Sequence, residues 1–146
     1  MKKFIMSLAL IAGISLGASA RDEYAKDSSV LPEVARTTIS DNFDSQVSKV
    51  KIERTLGRVS EYEVTLADGT EISFDRNGNW SNVEVERPDA VPSNMVLAPI
   101  SDYVAKNYPN AKIVSIERDR RGIEVELSNG IEAQFTHTGK FFRASR

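Results

Sequence analysis

The stretch Tyr62-Glu63-Val64-Thr65-Leu66-Ala67-Asp68-Gly69-Thr70-Glu71-Ile72-Ser73-Phe74 decides the fold. Apolar and polar residues alternate on both sides of Asp68-Gly69, and a period of two is the signature of a half-buried strand. Asp-Gly suits a tight type I′ turn, which needs positive φ at both central positions. The stretch therefore reads as an antiparallel hairpin. It returns as Ile123-Glu124-Val125-Glu126-Leu127-Ser128-Asn129-Gly130-Ile131-Glu132-Ala133-Gln134-Phe135, with Asn-Gly at the turn.

The recurrence extends in both directions. Upstream, Val50-Lys51-Ile52-Glu53-Arg54 matches Val114-Ser115-Ile116-Glu117-Arg118, again alternating. Between strands, Thr55 to Ser60 and the shorter Asp119-Arg120-Arg121-Gly122 are expected as turns. Further upstream, LPEVARTTISDNF (Leu31–Phe43) aligns with VLAPISDYVAKNY (Val96–Tyr108). Leu31, Ala35, Ile39 and Phe43 fall on Val96, Ile100, Val104 and Tyr108, and a spacing of four marks the buried stripe of a helix. Pro99 is incompatible with a helix interior, so the second helix is expected to have a broken first turn or to start near Ala98. Downstream, Gly78 and Gly139 stand in register, leading to Trp80–Val85 and Phe141-Phe142-Arg143.

The expected fold class is α+β: two tandem helix-plus-four-strand antiparallel units forming one eight-stranded sheet with both helices on one face. The predicted organisation is a signal peptide at 1–20, a flexible leader at 21–29, one repeat at 30–86, a linker at 87–92 and a second repeat at 93–146. The signal reading rests on Lys2-Lys3, the apolar run from Phe4 to Leu16, and Ala18-Ser19-Ala20 before a predicted cut at Arg21. A run of that length is short for a bilayer span. Export to the periplasm or medium follows.

Removing Lys2 and Lys3 from the 19 basic residues leaves 17 against 21 acidic ones, a balance of −4. Nucleic acid demands a concentrated basic surface and is not expected as a partner. The chain has no cysteine, which excludes disulfides, thiol catalysis and cysteine-held metals.

Alternation places Tyr62, Val64, Leu66, Ile72, Phe74, Ile123, Val125, Leu127, Ala133 and Phe135 on one face of the sheet, under the helices. The opposite face carries Lys51, Glu53, Glu63, Thr65, Glu71, Ser73, Glu117, Glu124, Glu126, Glu132 and Gln134. Glu63, Thr65, Glu71, Ser73, Glu124, Glu126, Glu132 and Gln134 are the candidate binding residues, for a basic protein patch or a divalent cation.

No catalytic residue, metal ligand or cofactor is predicted. His137, the one histidine, sits at a loop tip in Thr136-His137-Thr138-Gly139, poorly shielded for base chemistry. Asp75-Arg76-Asn77-Gly78-Asn79 starts like a calcium loop, but Gly78 comes too early and Trp80 stands where glycine is needed, so a hairpin turn is expected. Trp80 aligns with Phe141 and is expected in the core. Phe142 is the main outward aromatic, and Asp119-Arg120-Arg121-Gly122 is a basic hairpin tip.

The paired motifs are similar to those of the PepSY-like, beta-lactamase-inhibitor-like family of exported bacterial proteins. The likeness lies in the aromatic-ended helices (Asn42-Phe43; Asn107-Tyr108-Pro109-Asn110-Ala111-Lys112). It continues in the run from Tyr62-Glu63-Val64 through Asp68-Gly69 and Asp75-Arg76-Asn77-Gly78 to Trp80, with Gly122 to Phe141 as partner stretch. It covers nearly all of Leu31 to Arg143. The resemblance implies a curved antiparallel sheet backed by two helices, and a role in binding or restraining an extracytoplasmic protein such as a peptidase or lactamase. It brings no catalytic residues, and shared shape alone does not transfer function. The alternative reading is a small-ligand or divalent-cation binder using the acidic face.

Overall fold

The computed structural model describes residues 22–146. The expected signal peptide lies outside the described residues. Among the described residues, two α-helices and one nine-stranded antiparallel sheet form an α+β fold. In chain order the elements are β1 (Glu23–Ala25), α1 (Glu33–Asn42), β2 (Val47–Thr55), β3 (Arg58–Leu66), β4 (Glu71–Asp75) and β5 (Trp80–Glu84). There follow α2 (Ala98–Asn107), β6 (Ile113–Asp119), β7 (Gly122–Leu127), β8 (Glu132–Phe135) and β9 (Phe141–Ser145). The strands lie in the sheet in sequence order, so every strand pairs with its neighbours in the chain.

Both predicted hairpins form, but not with the expected type I′ turns: only the glycines, not Asp68 or Asn129, have positive φ. The N–H of Gly69 donates to Leu66 O and that of Gly130 to Leu127 O, closing three-residue loops that end in a left-handed glycine. Hydrogen bonds recur at aligned places elsewhere. Phe43 N–H donates to Ile39 O and Tyr108 N–H to Val104 O, while the Asn42 and Asn107 amides each donate back one turn, to Thr38 O and Tyr103 O. At the next turns, Gly78 lies against Pro32 and Gly139 against Pro99, at the start of the respective helix.

α2 starts at Ala98 and follows a separate short 3₁₀ turn at Ser93–Met95, the broken first turn that Pro99 dictates. At the second helical position proline lacks only an N–H that would be unpaired anyway. α1 is shorter than Leu31–Phe43, because Pro32 stands just outside its first residue.

The core is one buried cluster joining Ala35 and Ile39 of α1 and Ile100 and Val104 of α2 to alternate side chains of β2 to β8. Phe74 and Val125 are wholly buried at its centre. Burying a side chain of this kind contributes about 1.5–3 kcal/mol.

The strand count is one more than expected. Glu23–Ala25, inside the stretch read as a flexible leader, pairs antiparallel with β2: Glu23 faces Ile52, Tyr24 faces Lys51 and Ala25 faces Val50. The hairpin joining β2 and β3 also differs. Its turn is Leu56-Gly57, with φ of 51° and 77°, so both strands run on through residues expected to form a longer turn. Leu56 is fully exposed at the tip.

Candidate acidic sheet face

The face away from the helices is organised in rows. One row runs across eight strands through Lys51, Glu63, Ser73, Asn82, Glu117, Glu124, Gln134 and Arg143, each directly opposite the next. Beside it run Thr65, Glu71, Glu84, Ser115, Glu126 and Glu132. The eight predicted residues therefore share one face. They meet in direct pairs: Glu63 with Ser73, Thr65 with Glu71, Glu124 with Gln134, and Glu126 with Glu132. Ser73, 5% exposed, is too deep to offer its hydroxyl to a partner.

Across this face, four glutamate pairs stand directly opposite one another: Glu53–Glu61, Glu71–Glu84, Glu117–Glu124 and Glu126–Glu132. Like charges directly opposite across a ladder repel. Glu61 escaped the sequence reading because the Thr55–Ser60 stretch looked like one long turn. Recognising Leu56-Gly57 as a two-residue turn would have exposed it.

Glu53, Glu61 and Glu63 form the tightest acidic group, with one carboxylate oxygen from each within 4.8 Å of the others. Lys51 Nζ sits 3.0 Å from Glu53 Oε1 and 3.8 Å from Glu63 Oε2. Partial burial, then the charges of Glu53 and Glu63, push the Glu61 carboxyl up to about 7. Burial and the Glu53 charge also raise Glu63, with Lys51 pulling it back. The hydrogen bond to Glu53 raises Lys51 and keeps it cationic.

The other half of the face is concave. A cavity of about 600 Å³ is bounded by Glu117, Glu124 and Gln134 on its floor and Arg121, Phe142 and Arg143 on its rim. Arg143 Nε donates to Gln134 Oε1 at 2.9 Å, and Gln134 Nε2 donates to Glu124 Oε2 at 2.6 Å, a relay that fixes all three. Arg121 is held at the hairpin tip by Asp119, 3.1 Å away. A register shift between Gln134 and Phe135 leaves Phe142 as the extra residue of β9. Such bulges re-aim side chains, and here Phe142 and Arg143 both line the cavity. Alignment puts Glu61 where the other half has Gly122, which also lines the cavity.

His137 is exposed at the β8–β9 turn, its Nε2 2.7 Å from Asp119 O. Asp75 Oδ1 accepts from the N–H groups of Asn77 and Asn79, making a hairpin turn, while Glu86 lies against Gly69. Trp80 packs on the core edge but is only partly buried, with the Arg118 guanidinium 3.8 Å over its ring.

The fold and face define an α+β protein with an open, carboxylate-lined sheet, a class in which the sheet surface rather than a deep cleft is the feature on offer. The chain belongs to the PepSY-like family, candidate beta-lactamase-inhibitor-like proteins, whose model matches residues 20–66 and again 60–143. Two matches in one chain agree with a tandem repeat. Three solved structures are similar. One is a candidate periplasmic protein of unknown function from Bacteroides vulgatus, 37% identical, with a TM-score of 0.80 over 86% of this chain and 100% of that one. Another, from Bacteroides thetaiotaomicron, is a candidate calcium-regulated periplasmic protein, 33% identical, with a TM-score of 0.78 over 86% and 97%. A third, again a candidate periplasmic protein from Bacteroides vulgatus, is 34% identical, with a TM-score of 0.78 over 88% and 100%. No curated protein matches.

The protein is extracytoplasmic, in keeping with an exported family and with neighbours that are described as candidate periplasmic proteins. None of the matches is to a catalytic family. Among the described residues, no helix is long and apolar enough to cross a membrane.

Proposed function

We propose that the protein is an exported, non-catalytic binding module built from two copies of a helix-plus-four-strand unit, residues 30–86 and 93–146. Its acidic sheet face takes a basic surface of an extracytoplasmic protein such as a peptidase. The observation that carries this reading is the set of four directly opposed glutamate pairs. Such pairs concentrate negative charge on one face, and complementarity between that face and a cationic surface sets both encounter rate and specificity. The matching hydrogen bonds at aligned turns and helix ends support the two-copy organisation. Glu63, Glu71, Glu124, Glu126 and Glu132 supply the charge. Thr65 and Gln134 supply polar contacts, while the buried Ser73 spaces the row. Neither nucleic acid nor a cofactor enters this reading.

The test is capture of partners from a periplasmic extract on the unaltered chain and on the Glu63→Lys/Glu124→Lys variant. A protein retained by the first and lost by the second supports the reading. Equal retention by both overturns it.

A second reading takes a divalent cation at Glu53, Glu61 and Glu63. It is favoured by the meeting of their oxygens within 4.8 Å and by the relative described as calcium-regulated. A ligand that binds only the folded state must raise its melting temperature. Calcium should therefore raise the Tm of the unaltered chain and leave that of Glu53→Gln/Glu61→Gln where it was. An unchanged Tm in the unaltered chain ends this reading.

A further inference from the structure

The two edges of the sheet are unequal, and the middle of the sheet shows what each could hold. β5 is covered on its far side by β6, with Asn82 opposite Glu117, Val83 opposite Ile116 and Glu84 opposite Ser115. Arg118 seals that seam by lying over Trp80 and donating from Nε to Trp80 O at 2.6 Å. In the aligned halves β9 is the counterpart of β5, Phe141 falling on Trp80 and Arg143 on Asn82. β9 stands at the end of the sheet, paired only with β8, and all five of its residues are exposed. An edge strand of this kind presents a row of unpaired backbone groups. β2 is the counterpart of β6, with Glu53 on Glu117 and Arg54 on Arg118. Its free side is covered by the three residues of β1 alone.

We propose that β9 of one copy docks on β2 of a second copy in the register that β5 takes on β6, and that β1 is the in-chain strand that keeps this edge closed. Carrying the observed register across puts Arg143 opposite Glu53, Ala144 opposite Ile52 and Ser145 opposite Lys51. Arg54 then covers Phe141 as Arg118 covers Trp80. The charges fit: the guanidinium of Arg143 arrives at the most crowded carboxylates of the molecule, Glu53, Glu61 and Glu63. The contact joins two different surfaces, so it propagates head to tail rather than closing as a dimer.

β1 holds its place lightly. Its ties are the short ladder, the Arg54–Glu23 ion pair at 3.1 Å, Lys49 over the Tyr24 ring at 5.9 Å, Ala25 against the edge of the core and the adjoining Asp22 3.8 Å from Lys51, and its residues are mostly exposed. Being part of the same chain, it competes at an effective concentration of about a millimolar, which keeps micromolar protein closed. The proposal uses the two-copy alignment but not the acidic face's partner, so loss of either reading is seen separately.

The test uses protein purified from the periplasm and its Tyr24→Pro and Ala25→Pro variants. Neighbouring strand residues point their N–H groups to opposite sides, so one of the two prolines removes a bond to β2. Sedimentation velocity from about 1 to about 100 μM should show the unaltered chain as monomer and at least one proline variant as concentration-dependent oligomers. Adding Arg143→Glu should weaken that association about tenfold or more, and adding Glu53→Arg to that should restore it. Proline variants with native circular dichroism that stay monomeric overturn the proposal, as does association indifferent to the charge exchange. If both variants lose their native spectrum, the unaltered chain is taken to about a millimolar, where a second copy matches the tether. Oligomers there that Arg143→Glu removes support the proposal, and a monomer overturns it.

Discussion

Glu53 and Glu61 stand directly opposite each other across β2 and β3, with Glu63 beside them and Lys51 3.0 Å from Glu53 as the neutralising cation. Partial burial and the two neighbouring charges push Glu61 up to about 7 from its ordinary 4.5. The folded chain therefore binds this proton more tightly than the unfolded chain does. Stability is greatest below pH 4.5 as far as this group is concerned, falls as pH rises to about 7, and stays reduced above it. Glu61→Gln removes the charge while keeping the shape. Calorimetry at pH 8 should find the variant more stable by about 1 kcal/mol, the full shift being cut by solvent screening. At pH 4 the two proteins should melt together. A gain of equal size at both pH values would show that ionisation is not its source.

Lys51→Met should act with the opposite sign. The lysine side chain is only 18% exposed and touches Glu53 and Glu63, so its removal leaves three carboxylates without their cation. The loss at pH 8 should be about 1–2 kcal/mol, because a partly buried charge deprived of its partner carries an uncompensated desolvation cost. Acidification to pH 4 should recover much of it, because Glu61 and Glu63, both raised, then take up protons. Urea unfolding at the two pH values measures this, and a deficit that persists at pH 4 would assign the loss to packing of the lysine stem.

The β4–β5 turn presses on the start of α1. A Cβ added at Gly78 would lie 2.9 Å from Pro32 Cβ and 3.1 Å from the backbone nitrogen of Ala35, in addition to the strain of φ +87°. Neither neighbour is the movable end of a long side chain. Gly78→Ala should therefore cost about 2–3 kcal/mol, against about 1 kcal/mol for Gly130→Ala, which has positive φ but open space. Chemical denaturation of the pair separates contact from backbone strain. Equal losses would mean that the turn moves away from the helix without penalty.

Local chemistry made much of this fold legible. Asp68-Gly69 and Asn129-Gly130 located two turns, though not their type, and the alternation around them gave the inward and outward sides of four strands. Pro99 placed the start of α2. What escaped was long-range or geometric. β1 has no apolar alternation and exists because β2 leaves an edge to be paired, which no local pattern announces. Phe142 and Arg143 line the cavity together through a bulge that strict alternation forbids. Glu61 was lost to an underestimated hairpin, and with it the triad centred on it.

Trp80 makes the seam between β5 and β6 measurable, since it is the single tryptophan of the chain. Arg118 spans that seam: its guanidinium lies 3.8 Å over the indole, and its Nε donates to Trp80 O at 2.6 Å. Partial burial lowers its pKa without endangering its charge, with Asp75 pulling the other way. A cation over an indole and a charge-assisted hydrogen bond together are worth about 1–2 kcal/mol at a partly exposed site. Arg118→Ala should lose that amount, and Arg118→Lys should recover only part of it, because an ammonium lacks the planar fork that stacks and donates at once. The β5–β6 ladder is short, three residue pairs continued by the Val85 N–H to Val114 O bond, so the loss falls on a narrow junction. Trp80 fluorescence should shift to the red in Arg118→Ala before any global unfolding, as water reaches the exposed ring. Arg58→Ala, at the exposed β2–β3 turn, should leave both the spectrum and the stability unchanged. A native emission maximum in Arg118→Ala would place the hold on this seam elsewhere, in the Val83–Ile116 pair beneath it.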